Sequence, residues 1–235
     1  MSFRALLFDI DGTLISCGGA GRRSLERAME RHLGDAVTPE ETWLSGLKLD
    51  GMTDRLIVRE AMVALGIEFD EALCDRILAS YVEALREEIG GPGYRVLPGV
   101  ERVLGQVADA RVLLGLCTGN VASGARVKLG RGAVDRFFGW SAAAPNGFAE
   151  DGEARERIVA AVLRRCAQLT GDAFTAQDAV VIGDTPRDIT AARAHGVPVL
   201  AVATGRFSVE QLAREGAELV VESLEDPAAL RFLLG

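Results

Sequence analysis

Apolar residues in this chain gather in short unbroken runs. Each run ends in small or polar residues and is followed by a helix-like pattern. Ala5-Leu6-Leu7-Phe8 leads into Asp9-Ile10-Asp11-Gly12-Thr13-Leu14, and Val112 to Cys117 leads into Thr118-Gly119-Asn120. Ala179-Val180-Val181-Ile182 leads into Gly183-Asp184-Thr185-Pro186-Arg187-Asp188, and Val197 to Val202 leads into Ala203-Thr204-Gly205. An apolar run without alternation is what a strand buried on both faces requires. Alternating strand and helix with short connections predicts a parallel sheet covered on both sides, an α/β fold of Rossmann-like type. A last strand is expected over Glu218–Val221, with a helix from about Pro227.

A long helical stretch interrupts this alternation after the first strand. Cys17-Gly18-Gly19-Ala20-Gly21 opens it and Gly90-Gly91-Pro92-Gly93 closes it, both hinge-like compositions. Helices are predicted at about Arg22–His32, Asp54–Leu65 and Asp70–Glu88. In the third, Leu73, Ile77, Tyr81 and Leu85 recur at i, i+4, and Asp70 suits an N-cap. The expected organisation is a core of residues 1–16 and 94–235 with a helical cap domain, 17–93, inserted after the first strand.

Composition narrows the function. The chain of 235 residues is 49% hydrophobic, with no uninterrupted apolar stretch of membrane-spanning length. Its start runs straight into a strand without a leader pattern, so a cytoplasmic location is expected. Cys17, Cys74, Cys117 and Cys166 are scattered, as reduced thiols are. The net charge is −8 and no basic stripe is present, which disfavours nucleic acid as a partner. A small soluble ligand remains, and oligomeric state is not legible.

The candidate chemistry sits where the apolar runs stop. Carboxylates at the carboxyl end of a buried parallel strand lie where open α/β sheets bind ligands. Asp9 and Asp11, two residues apart, repel each other, so a cation or a proton is the natural compensation. Thr118-Gly119-Asn120 would present a hydroxyl and helix-start N–H groups to an anion, although the same triplet also suits a plain strand-to-helix cap.

Asp-x-Asp-Gly-Thr, Thr-Gly-Asn and Gly-Asp-Thr-Pro-x-Asp, in that order, resemble the haloacid dehalogenase superfamily. The likeness is in particular to its phosphatase branch, phosphoglycolate-phosphatase-like, with a small helical cap that closes over the site. The resemblance spans nearly the whole chain. It implies that Asp9 is a nucleophile forming an aspartyl phosphate, and that Asp11 is the general acid and then the general base. It implies a phosphate site at Thr118, Gly119 and Asn120. It also implies a Mg2+ site made by Asp9, the backbone carbonyl of Asp11, and Asp184. Asp188 would orient a metal-bound water, or else be a first-turn acid complementing the helix dipole.

The family also places a basic residue, usually lysine, before the last motif. Only Lys48 and Lys128 occur in this chain, and Lys128 lies too early in sequence for that place. Arg155 is the better match and Arg157 the alternative. In the insert, the Gly51-Met52-Thr53-Asp54 run resembles a cap loop facing substrate. A glycine turn with Thr53 as N-cap reads equally well.

The expected activity is Mg2+-dependent hydrolysis of a small phosphomonoester. A haloacid dehalogenase would not need Asp11. A phosphonatase lacks the second acid, and a sugar phosphomutase usually has a hydrophobic residue where Thr13 stands. A non-enzymatic phosphate-binding protein would commonly have lost one of the acids.

Overall fold

The computed structural model describes residues 3–34, 44, 47–110, 112–171 and 173–235. Part of the expected 17–93 insert, residues 35–43 and 45–46, lies outside the described residues, as do 1–2, 111 and 172 of the expected core.

Five parallel strands form the main sheet: β1 (Ala5–Phe8), β4 (Leu113–Leu116), β5 (Ala179–Gly183), β6 (Val199–Val202) and β7 (Leu219–Val221), in the order β4-β1-β5-β6-β7. The apolar runs become strands because both faces are covered. Side chains alternate across the sheet, so Leu6 and Phe8 pack on one face with Leu116, Ile182 and Leu200, while Ala5 and Leu7 pack on the other with Val181 and Val199. The strands of β1 and its two neighbours are fully buried apart from the start of β4.

Register decides where the chemistry falls. Phe8 pairs with Leu116 on one side and with Ile182 on the other. The three strands therefore finish together, and the residues after them (Asp9, Cys117-Thr118 and Gly183-Asp184) emerge side by side. The connection order reverses across β1, with β4 on one side and β5 on the other, which opens a crevice at the strand ends.

Helices α4 (Val100–Asp109), α5 (Ala122–Arg131), α6 (Arg155–Thr170), α7 (Pro186–Arg193), α8 (Val209–Arg214) and α9 (Pro227–Leu234) accompany this sheet. Helices α1 (Ala20–Leu33), α2 (Asp54–Ala64) and α3 (Glu71–Glu88) build a second apolar cluster, with Leu25, Met29, Val58, Met62, Ile77 and Leu85 buried in it. The sequence pattern places these three helices within a few residues of their observed bounds. Asp70 is the N-cap of α3, its carboxylate accepting from Leu73 N at 2.7 Å.

The pattern does not reveal β2 (Ile15–Cys17) and β3 (Tyr94–Val96), an antiparallel ribbon that joins the two halves. Each has three residues, too short for a periodic signal, and glycines flank both. The ribbon brings the entry and exit of the helical stretch next to each other. No helix among the described residues is long and apolar enough to cross a membrane.

Candidate active site

A cavity of about 540 Å3 opens at the strand ends, between the sheet and the helices α1 to α3. Asp9, Asp11, Thr118, Gly119, Asn120, Arg155 and Asp184 line it from the sheet side. Gly51, Met52, Asp54, Ile57 and Tyr81 line it from the helical side.

The backbone geometry after β1 is set by glycine. Gly12 has φ +83°, and a Cβ there would overlap the Asp184 carboxylate. The turn thus lets Asp184 approach the end of β1. Thr13 donates its hydroxyl to Asp184 Oδ1 at 3.2 Å, and Thr204, at the end of β6, bonds to the carbonyl of Gly12.

Asp9, Asp184 and Asp188 are all buried and bring carboxylate oxygens within 4.8 Å of one another. Burial pushes the Asp9 carboxyl up to about 6, against the pull of Arg155, and Asp188 and Asp11 add to the rise. Burial and the neighbouring Asp188 and Asp9 carry Asp184 well above the ordinary carboxylate range. Among the described residues, Arg155 is the buried guanidinium beside these three buried acids, which leaves negative charge uncompensated. Hard oxygen donors so arranged suit a divalent cation.

Arg155 starts α6 and is buried, while Arg157, one residue beyond its neighbour, is exposed. Arg155 Nη2 lies 3.1 Å from Asp9 Oδ1, 3.3 Å from the Cys117 carbonyl, and in contact with Asp188 Oδ1. The same Asp188 closes a capping box at the start of α7. Its Oδ2 accepts from Thr185 N at 3.0 Å and from the Thr185 hydroxyl at 2.7 Å. Asp188 is thus both the first-turn acid of α7 and the anchor of Arg155.

Asp11 turns toward the other side of the cavity. Its Oδ2 accepts from Lys128 Nζ at 2.6 Å and from Asn120 Nδ2 at 2.9 Å, and its Oδ1 faces Cys17 Sγ at 3.4 Å. Burial raises the Asp11 carboxyl, but Lys128 and these hydrogen bonds outweigh it and leave Asp11 below the usual carboxylate range. Asn120 also donates to the Thr118 hydroxyl at 2.8 Å and accepts from Lys128 Nζ at 2.5 Å.

Lys128 does not take the place of the family's basic residue, which Arg155 occupies beside Asp9, but it lines the same cavity from α5. It lies in the second turn of α5, and its ammonium reaches back to Asn120, just ahead of the helix.

The Gly51–Asp54 loop also departs from a simple substrate-facing role. Thr53 is the N-cap of α2, accepting from Leu56 N at 3.2 Å, and donates to the Glu153 carbonyl at 2.9 Å. Its side chain is spent on these bonds and does not line the cavity. Asp54 N donates to the Gly119 carbonyl at 2.8 Å, and the Asp54 carboxylate accepts from Val121 N at 2.9 Å. A Cβ on Gly119 would sit 2.6 Å from the Met52 carbonyl, so only glycine allows this loop so close. Nearby, Arg59 holds Glu153 with bonds of 2.8 to 3.0 Å. The loop therefore docks onto the Thr118-Gly119-Asn120 segment, while Gly51 and Asp54 keep a place on the cavity wall.

A family profile described as "haloacid dehalogenase-like hydrolase" matches residues 3–196. The chain belongs to the haloacid dehalogenase-like hydrolases. It is 29% identical over 236 aligned residues to a phosphoglycolate phosphatase of Rhodospirillum rubrum, covering 99% of this chain and 91% of that protein. It is 28% identical to the plasmid-encoded protein CbbY of Cupriavidus necator, over 96% of this chain and 87% of that one. The structure of CbbY from Rhodobacter sphaeroides in complex with phosphate superimposes with a TM-score of 0.71 at 16% identity, covering 97% and 99% of the two chains, and shares the fold. This haloacid dehalogenase-like hydrolase thus has the α/β core that the apolar runs predict, and is an enzyme by family.

Proposed function

We propose that this hydrolase is a Mg2+-dependent phosphatase of small phosphomonoesters, phosphoglycolate-phosphatase-like, working through an aspartyl-phosphate intermediate on Asp9. One observation carries the reading. A buried carboxylate, Asp9, faces a buried arginine across 3.1 Å, and a second acid, Asp11, stands apart on the other side of the cavity, held by Lys128. The phosphatase names of relatives such as that of Rhodospirillum rubrum support the choice of ester.

In this reading Asp9 attacks phosphorus while Arg155 and the Thr118 hydroxyl receive the phosphoryl oxygens. The N–H groups of Gly119 and Asn120, at the approach to α5, add to that cradle. Asp11 protonates the departing alkoxide, then takes the proton of the water that hydrolyses the acyl phosphate. Asp9 and Asp184, with the Asp11 carbonyl, would hold Mg2+, and Asp188 would orient a water beside it. The bound cation would offset the charge of phosphate and acids together. Residues 17–93 would act as a cap, excluding water once substrate is in place.

The test is release of inorganic phosphate across a panel of phosphorylated metabolites, phosphoglycolate included, with and without Mg2+. Metal-dependent release from one or a few small esters is expected. An isomerised sugar phosphate without free phosphate would replace the phosphatase by a mutase. Binding without turnover would make the protein a phosphate sensor.

A further inference from the structure

Lys128 has no assigned part in the chemistry above, yet it is the buried lysine closest to the acid pair. Its side chain is 6% exposed, and its ammonium is shared between Asp11 Oδ2 and Asn120 Oδ1. Its own backbone is tied in place, the Tyr94 hydroxyl donating to the Lys128 carbonyl at 2.8 Å from the β2–β3 ribbon. Asn120 completes a closed triangle: it accepts from Lys128 and donates to Asp11 at the same oxygen that Lys128 bonds.

The two oxygens of Asp11 are therefore unequal. Oδ2 is held by two strong donors, one of them charged, at 2.6 and 2.9 Å. Among the described residues, Oδ1 has only the weak thiol donor of Cys17 at 3.4 Å. A carboxylic acid that must deliver a proton keeps one oxygen as the acceptor and works with the other. Carbonyl and carboxylate oxygens both accept, so a clamp on Oδ2 holds whether Oδ1 is protonated or not.

We infer that Lys128 is a positioning residue. With Asn120 it clamps Asp11 Oδ2, so that Asp11 Oδ1 is the oxygen that meets the leaving group. This rests on the phosphatase reading. In the step concerned, an Asp9 oxygen forms the bond to phosphorus. The ester P–O bond breaks, its electron pair goes to the leaving oxygen, and that oxygen takes the proton from Asp11 Oδ1. Loss of the clamp leaves all these groups present but lets the Asp11 carboxyl swing, and small errors in aim are costly in proton transfer.

The experiment compares kcat/KM for p-nitrophenyl phosphate and phenyl phosphate. The esters have similar shape, but phenolate, with a pKa of about 10 for its conjugate acid, needs more help to leave. The ratio of the two values does not depend on how much of a preparation is folded. Lys128→Met should lower kcat/KM on phenyl phosphate about tenfold more than on p-nitrophenyl phosphate, and Lys128→Arg should recover part of that difference. In an Asp11→Asn background, Lys128→Met should change either value by less than about twofold, because the group it acts through is gone. If Lys128→Met yields no soluble protein, Lys128→Gln is read in the same way. Equal proportional losses on both esters, or an undiminished loss in the Asp11→Asn background, would overturn the inference alone and assign Lys128 to phosphate or to packing. A parent protein that hydrolyses neither ester would overturn the phosphatase reading and the inference with it.

Discussion

Arg155 Nη2 stands 3.1 Å from Asp9 Oδ1, and the same nitrogen is pinned by Asp188, which in turn is locked into the capping box of α7. The guanidinium is thus fixed from two sides before any substrate arrives, with little left to lose in orientation when phosphate binds. Arg155→Ala should cut turnover by at least about a hundredfold, since an unscreened phosphate would face Asp9 across a dry site. It should also lower stability, because Asp9 and Asp188 would be left buried without their partner. Arg157→Ala, at an exposed position, should stay within about twofold in rate and within about 0.5 kcal/mol in stability. Steady-state kinetics at saturating Mg2+ with urea melts of both variants decide the matter. A crippled Arg157→Ala beside an active Arg155→Ala would reverse the assignment.

Asp9→Asn separates catalysis from folding. The amide cannot serve as nucleophile, so turnover should drop below detection or by more than about a thousandfold, ~4 kcal/mol of barrier. Stability should not fall, because burial already drives the Asp9 carboxyl toward its neutral form, up to about 6. A variant within tenfold of the parent rate would remove Asp9 from the role of nucleophile.

The acid cluster makes a prediction about metal that needs no substrate. A cation that binds only the folded chain raises the melting temperature with its concentration. Mg2+ should therefore stabilise the parent, EDTA should reverse the effect, and Asp184→Asn should abolish most of it. Asp184→Asn should itself melt at or above the metal-free parent, since it removes one of three crowded buried charges. A parent whose melting is indifferent to millimolar Mg2+ while turnover persists in EDTA would refute the metal site.

Much of this site is legible in the sequence because its parts sit at the ends of strands. An apolar run that stops at an acid fixes both the strand and the place of the acid, and so Asp9, Thr118 and Asp184 are readable without coordinates. Register then brings them together, as the pairing of Phe8 with Leu116 and Ile182 shows. Lys128 is not legible in this way, because its position depends on helical geometry and on the orientation of α5 toward Asp11. Thr53 and Asp54 illustrate a different limit. A turn followed by Thr-Asp predicts a helix start, and one does occur, but the partners of these side chains (Glu153 and Val121) lie far away in sequence. Asn146 gave no signal at all. It is buried and bonds Leu116 N and the Gly139 carbonyl, bracing the end of β4 from a loop.

Asp54 carries the last prediction. It is 8% exposed, and burial pushes its carboxyl up to about 6 although Lys128 and the Val121 N–H pull the other way. The folded chain therefore holds this proton more tightly than the unfolded chain, whose value is near 3.8. The sign follows from linkage: the group's stabilising share is complete below about 3.8, and it is lost as pH rises through about 6. Asn has no proton to lose and its side-chain oxygen still accepts from Val121 N. Asp54→Asn should thus gain on the parent as pH rises, its stability margin widening by about 2 kcal/mol from pH 4.5 to pH 8. Urea melts at the two pH values measure the gap. A margin that narrows over that range would mean that the charge of Asp54, facing Lys128 and the start of α5, is a net contributor to holding the Gly51–Asp54 loop on the Thr118-Gly119-Asn120 segment.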